Sequence, residues 1–356
     1  MSYAQRRVAR GGQPTIYDVA RLAGVSTATV SRSLNGTGQT APSTRRAIDE
    51  AVRELGYEPN RIARSLVTKS TQTIALLLPD ITNPFYGALV SGIERRTLEL
   101  GYAMLLCTTE GDAAREEAYL NLLRSKQVDG ALVDGLLLPP DRIARFVVDG
   151  FPIVCLDRDV DSTAVPLVQV DNKLGARMAT EHLIALGHTR IAHVSGAPEL
   201  RISTDRVEGY RAALRAAGLE HDPRLEAVGG FTEDGGYGAG RALLAGAPHP
   251  TAVFAANDLS ALGVLEAIAE SGRRVPDDVS VVGFDDLRLA GYTSPPLTTI
   301  HQPAREIGER ATSLLLDLTR GKRARRLRHL LEPRLVVRRS TAPPPRGRGR
   351  QRARKS

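Results

Sequence analysis

At 356 residues the chain is too long for one compact module and long enough to bury two or three cores. Hydrophobic residues make up 42% and charged residues 25%, and the longest apolar runs, such as Ile74 to Pro79, stop after a handful of residues, so no membrane span is written here. The two cysteines, Cys107 and Cys155, stand far apart without Cys-x-x-Cys spacing, which argues against a disulfide framework or a zinc site and fits a reducing compartment.

The net charge of +8 hides a partition. Residues 1–70 hold 11 Lys/Arg against 5 Asp/Glu, residues 71–319 hold 22 against 34, and residues 320–356 hold 15 against 1, giving +6, −12 and +14. An acidic body with basic ends suits a nucleic-acid binder whose body binds something else, because cations that neutralise phosphates release counterions while an acidic body stays off the duplex. A solvated tail without a partner would give the same numbers. Charge alone therefore does not assign DNA.

Residues 1–14 carry arginines with no apolar segment behind them, so they read as a disordered arm rather than a secretory signal, and the chain is expected in the cytoplasm. Residues 15–57 read as three short helices. Thr15 caps the first with Asp18 three residues on; Ile16, Val19, Ala20 and Ala23 recur at helical spacing until Gly24. Ser26 caps the second, with Val30 and Leu34 on one face, and Pro42-Ser43 opens a third whose apolar stripe ends at Gly56. In Thr15 to Gly36 small Ala20 lets two helices approach, Gly24 permits the tight turn, and Val25 and Val30 pack inward: the mechanics of a helix-turn-helix. The second helix then projects Thr27, Ala28, Ser31 and Arg32 outward, where Arg32 can fork onto guanine and the methyls of Thr27 and Ala28 can meet thymine methyls. A small helical domain with a solvated arginine face is the bland alternative, and the ordered Ala, Gly and Val set it well behind.

RIARSLVTK, from Arg61, is a basic linker by composition. From Ile74 onward short apolar runs (IALLLPD, YAMLLCT, VDGALVDG, PIVCLDRD, LVQVDN, RIAHVSGA, TAVFAAND, VSVVGFDD) alternate with helical stretches at 84–100, 113–126, 175–186, 203–217, 235–245 and 258–271. Repeated strand-helix units imply parallel sheets covered on both faces, here two doubly wound halves divided near Asp171. A helix from Ala304 to Thr319 and a strand near Arg334 to Val337 complete them, and residues 342–356 form a basic tail that cannot build a core and is expected to strengthen nonspecific DNA binding.

Ligand groups gather at the carboxyl ends of strands in such sheets. Asp80 and Asn83, Asp157 and Arg158, Arg206, Asn257 and Asp258, and Asp285 and Asp286 fall there, and Phe85, Tyr86 and Phe231 can supply ring faces, a set suited to a polyhydroxyl ligand. Each has a bland reading: Asn83 and Asn257 as helix caps, Asp286 as a turn acid, the aromatics as core.

YDVARLAGVS, TVSR, LNG and TRRAIDEAVRELGYEPNRIARSL together resemble the LacI/GalR family of bacterial transcription regulators, over roughly Thr15 to Thr341. The resemblance implies an N-terminal all-α helix-turn-helix domain (15–60), a hinge helix or linker (61–70) and an α/β periplasmic-binding-protein-like core (71–341). The core is expected to split into about 71–170 plus 300–325 and about 171–299 plus 326–341. It further implies base contact by Thr27, Ala28 and Arg32, phosphate contact by Tyr17, Ser31, Asn35 and Asn60, and DNA-binding positions also at Ser26, Arg61 and Ala63. Leu66 would wedge into the minor groove, as an apolar side chain can when it unstacks a base step. Thr40-Ala41 departs from the family's usual Val-Ser, removing a hydroxyl contact to phosphate. NPFY, LDR, STDR and TIHQ, with Asn257 and Asp285, resemble the ribose-type pocket of periplasmic sugar-binding proteins, implying effector contact by Asn83, Phe85, Tyr86, Asp157, Arg158, Arg206, Phe231, Asn257, Asp285 and Gln302.

The expected protein is a homodimeric repressor on a near-palindromic double-stranded operator, controlled by a small sugar such as ribose, with no enzyme activity, cofactor, metal or membrane partner. A purine or nucleoside effector, or a protein corepressor, is the alternative; an exported sugar-binding protein would lack residues 15–66. The Gly235–Gly240 run has the wrong spacing for a dinucleotide loop, and neither Ser195 nor Cys155 has a nucleophile's setting.

Overall fold

A computed structural model describes residues 13–35, 39–58, 70–125, 127–134, 140–157 and 165–345. They fall into two units, divided between Thr71 and Gln72.

The first unit holds α1 (Ile16–Leu22), α2 (Thr27–Asn35) and α3 (Pro42–Leu55). Both the amide and the hydroxyl of Thr15 donate to Asp18 Oδ2, at 3.0 and 2.6 Å, closing the start of α1. Gly24 adopts φ +67° between α1 and α2, a left-handed conformation that glycine reaches without a Cβ penalty. Ser26 Oγ then accepts from the Thr29 amide at 3.1 Å. Val19, Ala20, Val30, Ile48, Ala51 and Leu55 form the buried centre, which small helices need because packing rather than propensity stabilises them.

The second unit contains two six-stranded sheets. In sheet 1, β1 (Thr73–Leu78), β2 (Ala103–Thr108), β3 (Gly130–Asp134), β4 (Ile153–Leu156), β5 (Leu167–Val170) and β11 (Arg328–Leu331) lie in the order β11-β5-β4-β3-β1-β2, all parallel. In sheet 2, β6 (Ile191–Ser195), β7 (Glu226–Val228), β8 (Ala252–Ala255), β9 (Ser280–Asp285), β10 (Thr298–His301) and β12 (Arg334–Val336) lie in the order β12-β10-β9-β8-β6-β7, with only β12 antiparallel. Side-chain alternation divides β1 between two cores. Ile74, Leu76 and Leu78 point into a central cluster, and Ala75 and Leu77 into one on the opposite face. Helices α4 (Pro84–Glu99) and α11 (Ala304–Thr319) cover the central side of sheet 1, and α5 (Ala113–Arg124) and α6 (Pro140–Val148) the other. On sheet 2, α7 (Asn172–Ala185) and α8 (Arg201–Ala216) face the central cluster, opposite α9 (Glu233–Ala245) and α10 (Asp258–Glu270).

The chain crosses between the sheets three times: after β5, between β10 and α11, and between β11 and β12. Two expected boundaries move. All of β10, to His301, belongs to sheet 2 rather than crossing at residue 300. Arg328–Leu331 pairs with β5, so residues 326–331 belong to the first half rather than the second. The expected disordered tail also starts too early. The Ala342 amide donates to Ser280 Oγ at 3.0 Å and its carbonyl accepts from His188 Nε2 at 2.9 Å, which fastens the chain to the amino end of sheet 2. Among the described residues no helix is long and apolar enough to cross a membrane.

Candidate functional site

On the first unit Ala28 and Arg32 are exposed and Thr27 and Ser31 half-buried, so one face of α2 presents a charged fork beside methyl groups. Tyr17, on α1, is 68% exposed. Asn60, Arg61, Ala63 and Leu66 lie outside the described residues, as does Arg158; of Asn35 only the helical backbone is described.

In the second unit the carboxyl ends of both sheets converge on Arg206, from the second turn of α8. This side chain is 2% exposed. Its Nε donates to Asn172 Oδ1 at 2.9 Å and its Nη1 to the Ala256 carbonyl at 2.5 Å. The guanidinium carbon lies 3.8 Å from the Phe284 ring centre and 5.4 Å from that of Phe231, within cation–π range. Among the described residues no hydrogen bond from Nη2 is found, so a nearly buried guanidinium held by two of its nitrogens keeps donor capacity on the third.

The facing acceptors are Asp157, after β4, and Asp285, ending β9. Burial pushes the Asp157 carboxyl up to about 6 against the pull of Arg206. Burial likewise raises Asp285 to about 7, with Arg206 and Gln302 opposing and the Asp157 charge adding to the rise. Gln302 Nε2 donates to Asp285 Oδ1 at 2.6 Å. Asp157 Oδ1 and Gln302 Oε1 are buried with no hydrogen-bond partner among the described residues; such groups are costly unless something else satisfies them. Asp157, Phe231 and Asp285 adopt φ of 49°, 67° and 119°, backbone strain that clusters at functional sites. The Phe231 ring lies where a side chain on Gly196 would be, a Cβ there falling 2.0 Å from Phe231 Cζ.

Tyr86, on the first turn of α4, belongs to the same group. Burial, then the Asp134 and Asp157 carboxylates, hold its hydroxyl well above the ordinary phenol range, and it hydrogen-bonds Asp134. Phe85 is instead 7% exposed within the central core, its ring edge-on to Tyr86 at 5.3 Å. Two asparagines keep their bland roles as well. Asn83 Oδ1 caps α4 through the Phe85 amide at 3.0 Å. Asn257 Oδ1 caps α10 through the Ser260 amide at 2.9 Å, while its Nδ2 donates to the Phe231 carbonyl at 3.0 Å and fixes that residue.

Three strand-end acids are engaged elsewhere. Asp80 accepts from Thr82 in a local turn. Asp258 accepts from Thr299 Oγ1 at 2.6 Å and the Leu287 amide at 2.7 Å. Asp286 accepts from Arg338 at 2.5 Å and meets His301 Nδ1 at 3.0 Å; burial would raise its carboxyl, but those partners hold it below the usual range. Asn172 and Phe284, which touch Arg206, and Asp134, which hydrogen-bonds Tyr86, join the cluster without being among the residues expected from the sequence. Asp134 and Asn172 carried a usable signal, each following an apolar run at a strand's carboxyl end. Among the described residues no His/Cys/Asp/Glu cluster could hold a metal ion.

Residues 15–60 match the bacterial regulatory proteins of the lacI family, and residues 180–341 match a periplasmic binding protein-like domain. The chain is 42% identical over 310 residues to the ribose operon repressor of Escherichia coli K12, covering 85% of this chain and 92% of that one. The chain belongs to the lacI family. As a member it is a DNA-binding transcriptional regulator. This regulator is also 41% identical over 340 residues to the HTH-type transcriptional regulator CelR of Thermobifida fusca, covering 93% and 99% of the two chains. Among solved structures, the lac repressor dimer bound to operator and the anti-inducer ONPF superposes with a TM-score of 0.82 at 34% identity, covering 92% of this chain and 99% of that one. A LacI family regulator from Enterococcus faecium with bound ribose gives 0.69 at 33% identity, covering 76% and 99%.

Proposed function

We propose that this regulator is a sugar-responsive repressor of sugar-utilisation genes and that a small sugar, ribose first, occupies the cleft around Arg206. The observation that carries the reading is the pairing of the nearly buried Arg206 guanidinium with two buried unpartnered acceptors, Asp157 Oδ1 and Gln302 Oε1. A polyhydroxyl ligand accepts from the first and donates to the others, with Tyr86 and Phe231 against its C–H faces. The ribose operon repressor and the ribose-bound relative support the choice of sugar.

The protein would act as a homodimer, placing Arg32, Thr27 and Ala28 of each α2 in one half of a near-palindrome. Leu105 on edge strand β2 is 40% exposed and Leu98 on α4 is 61% exposed, apolar surface available for a second copy to cover. Ligand binding between halves joined by three crossings changes their relative pose, and operator affinity follows with a coupling of about 1–3 kcal/mol. No catalytic step is assigned.

Thermal shift with pentoses, hexoses, cellobiose, nucleosides and purine bases tests the effector. At a hundredfold excess over Kd a true effector contributes about 2.7 kcal/mol and raises Tm by several degrees. A shift with purines alone would replace the sugar. Titration of a selected near-palindromic duplex with and without the effector then tests the response.

A further inference from the structure

The basic segment after α11 is not absorbed by this reading. Arg320, Lys322, Arg323, Arg325, Arg326 and Arg328 place six cations and no acid in nine residues. All six are exposed. Lys322 pairs with Asp317 at 2.8 Å, whereas Arg323, Arg325 and Arg326 meet no carboxylate among the described residues. The remainder of the second unit up to residue 319 is strongly acidic, so the patch is a local device and not a consequence of overall composition.

Its place in the sheet selects the partner. Arg328 begins β11, and the Leu327 carbonyl accepts from the Leu167 amide at 2.7 Å, at the start of β5. Because every strand of sheet 1 is parallel, this loop shares the sheet's amino edge with Thr73, where the chain arriving from the helix-turn-helix unit enters. The cleft lies at the opposite, carboxyl edge, so the loop has no part in effector binding.

We propose that Arg323, Arg325 and Arg326 form a second DNA contact, gripping backbone phosphates of the duplex that flanks the sequence read by α2. Guanidinium groups fork onto phosphate oxygens, and unpaired cations gathered on an exposed loop create a field that a polyanion relieves. Such contacts carry no base preference; they add affinity and salt dependence.

The inference rests on the regulator binding a specific duplex, which the wild type establishes separately in the same experiment. Full-length wild type, R323A/R325A/R326A and R323K/R325K/R326K are titrated at several salt concentrations. One duplex ends at the selected near-palindrome, and another extends about one helical turn (~10 base pairs) beyond it on each side. On the extended duplex the alanine variant should lose about tenfold in affinity, with a salt slope shallower by up to about 0.9 per lost phosphate contact. On the short duplex it should match wild type, and the lysine variant should keep most of the binding on both. Equal loss on both duplexes, or no loss on either, overturns the proposal; in the second case binding of the wild-type loop to an acidic protein surface becomes the competing explanation. Absence of specific binding by wild type would instead count against the operator reading itself.

Discussion

Gln302 Nε2 donates to Asp285 Oδ1 across 2.6 Å from the segment where the chain leaves sheet 2 for α11. The ligand contact proposed for Gln302 is thereby mounted on one of the three crossings, where the chain passes between the halves. Gln302→Leu should weaken effector affinity by about tenfold, the scale of one lost hydrogen bond. It should also shrink the effector's influence on operator affinity, read by paired DNA titrations. Weaker binding with unchanged coupling would confine Gln302 to recognition.

Asn172 holds the Arg206 guanidinium through its Oδ1 while its Nδ2 donates to the Val170 carbonyl at 3.3 Å. Asn172→Ala should leave the fold intact and cost about 1–3 kcal/mol of effector binding, since Arg206 loses an acceptor and its orientation. Calorimetric titration of both proteins measures the difference. Equal affinities would show that the Ala256 carbonyl and Phe284 suffice to position Arg206.

The cleft carboxyls give the ligand-free protein a definite pH dependence. With Asp157 raised to about 6 and Asp285 to about 7, the folded chain binds more protons than the unfolded chain between roughly pH 4 and 7. Their contribution is therefore fully present below the unfolded carboxylate range and is lost as pH rises through 6 to 7. Asp285→Asn should flatten the fall in Tm between pH 5 and 8, by a difference on the order of 2 kcal/mol in stability. Parallel curves for the two proteins would place the proton elsewhere. Sugar hydroxyls that donate to these groups favour their charged forms, so binding near pH 6.5 should release a proton, visible as a buffer-dependent heat.

Arg32→Ala should weaken operator binding by about 1–3 kcal/mol and relax preference at one base pair. Affinities for operator and scrambled duplex at fixed salt decide the matter. The same loss on both would make Arg32 a phosphate contact.

Truncation distinguishes the end of the core from the tail. Deleting residues 346–356 should leave Tm unchanged. Deleting from Thr341 also removes the hydrogen bonds of Thr341 to His182 and of Ala342 to His188 and Ser280, and should lower Tm by several degrees. Because Ala342 is fastened at the amino edge of sheet 2, the end of the second unit away from Thr73, the shorter deletion should leave the salt slope of DNA binding nearly unaltered. A flatter slope would restore the sequence-based expectation that the tail grips DNA.

All eight apolar runs read as strands are strands, because parallel sheets covered on both faces demand side chains that are apolar throughout. The elements that escaped lack that signature. Strand β11 buries only Leu331 and exposes Arg328 and Leu330, so RHLL shows no apolar run, and residues 326–331 are expected in the second half although they pair in the first. Strand β7 has three residues. In the cleft, residue type and strand-end position named Arg206, Asp157 and Asp285 as candidates, and the fold gathers the three within electrostatic reach of one another. They could not separate Tyr86 from Phe85, because adjacent positions on a helix differ by about 100° in direction and only folding shows that Tyr86 turns toward Asp134 and Asp157 while Phe85 enters the core. Strand-end position also marked Asn172, but not its partner, because the bond to Arg206 depends on the approach of α8 from a distant part of the sequence.

The three crossings set the unit in which this protein can be rearranged. Neither half of the effector body is a continuous stretch of chain: α11 and β11 return to the first half after β10, and β12 returns to the second. A graft of either half alone would strand a helix or an edge strand in the wrong host. By contrast, a single connection at residues 59–71 joins the helix-turn-helix unit to everything that follows. New pairings of operator and effector are therefore reached by exchange at that one joint, whereas a new effector within the same body has to arise by substitution around Arg206 in place.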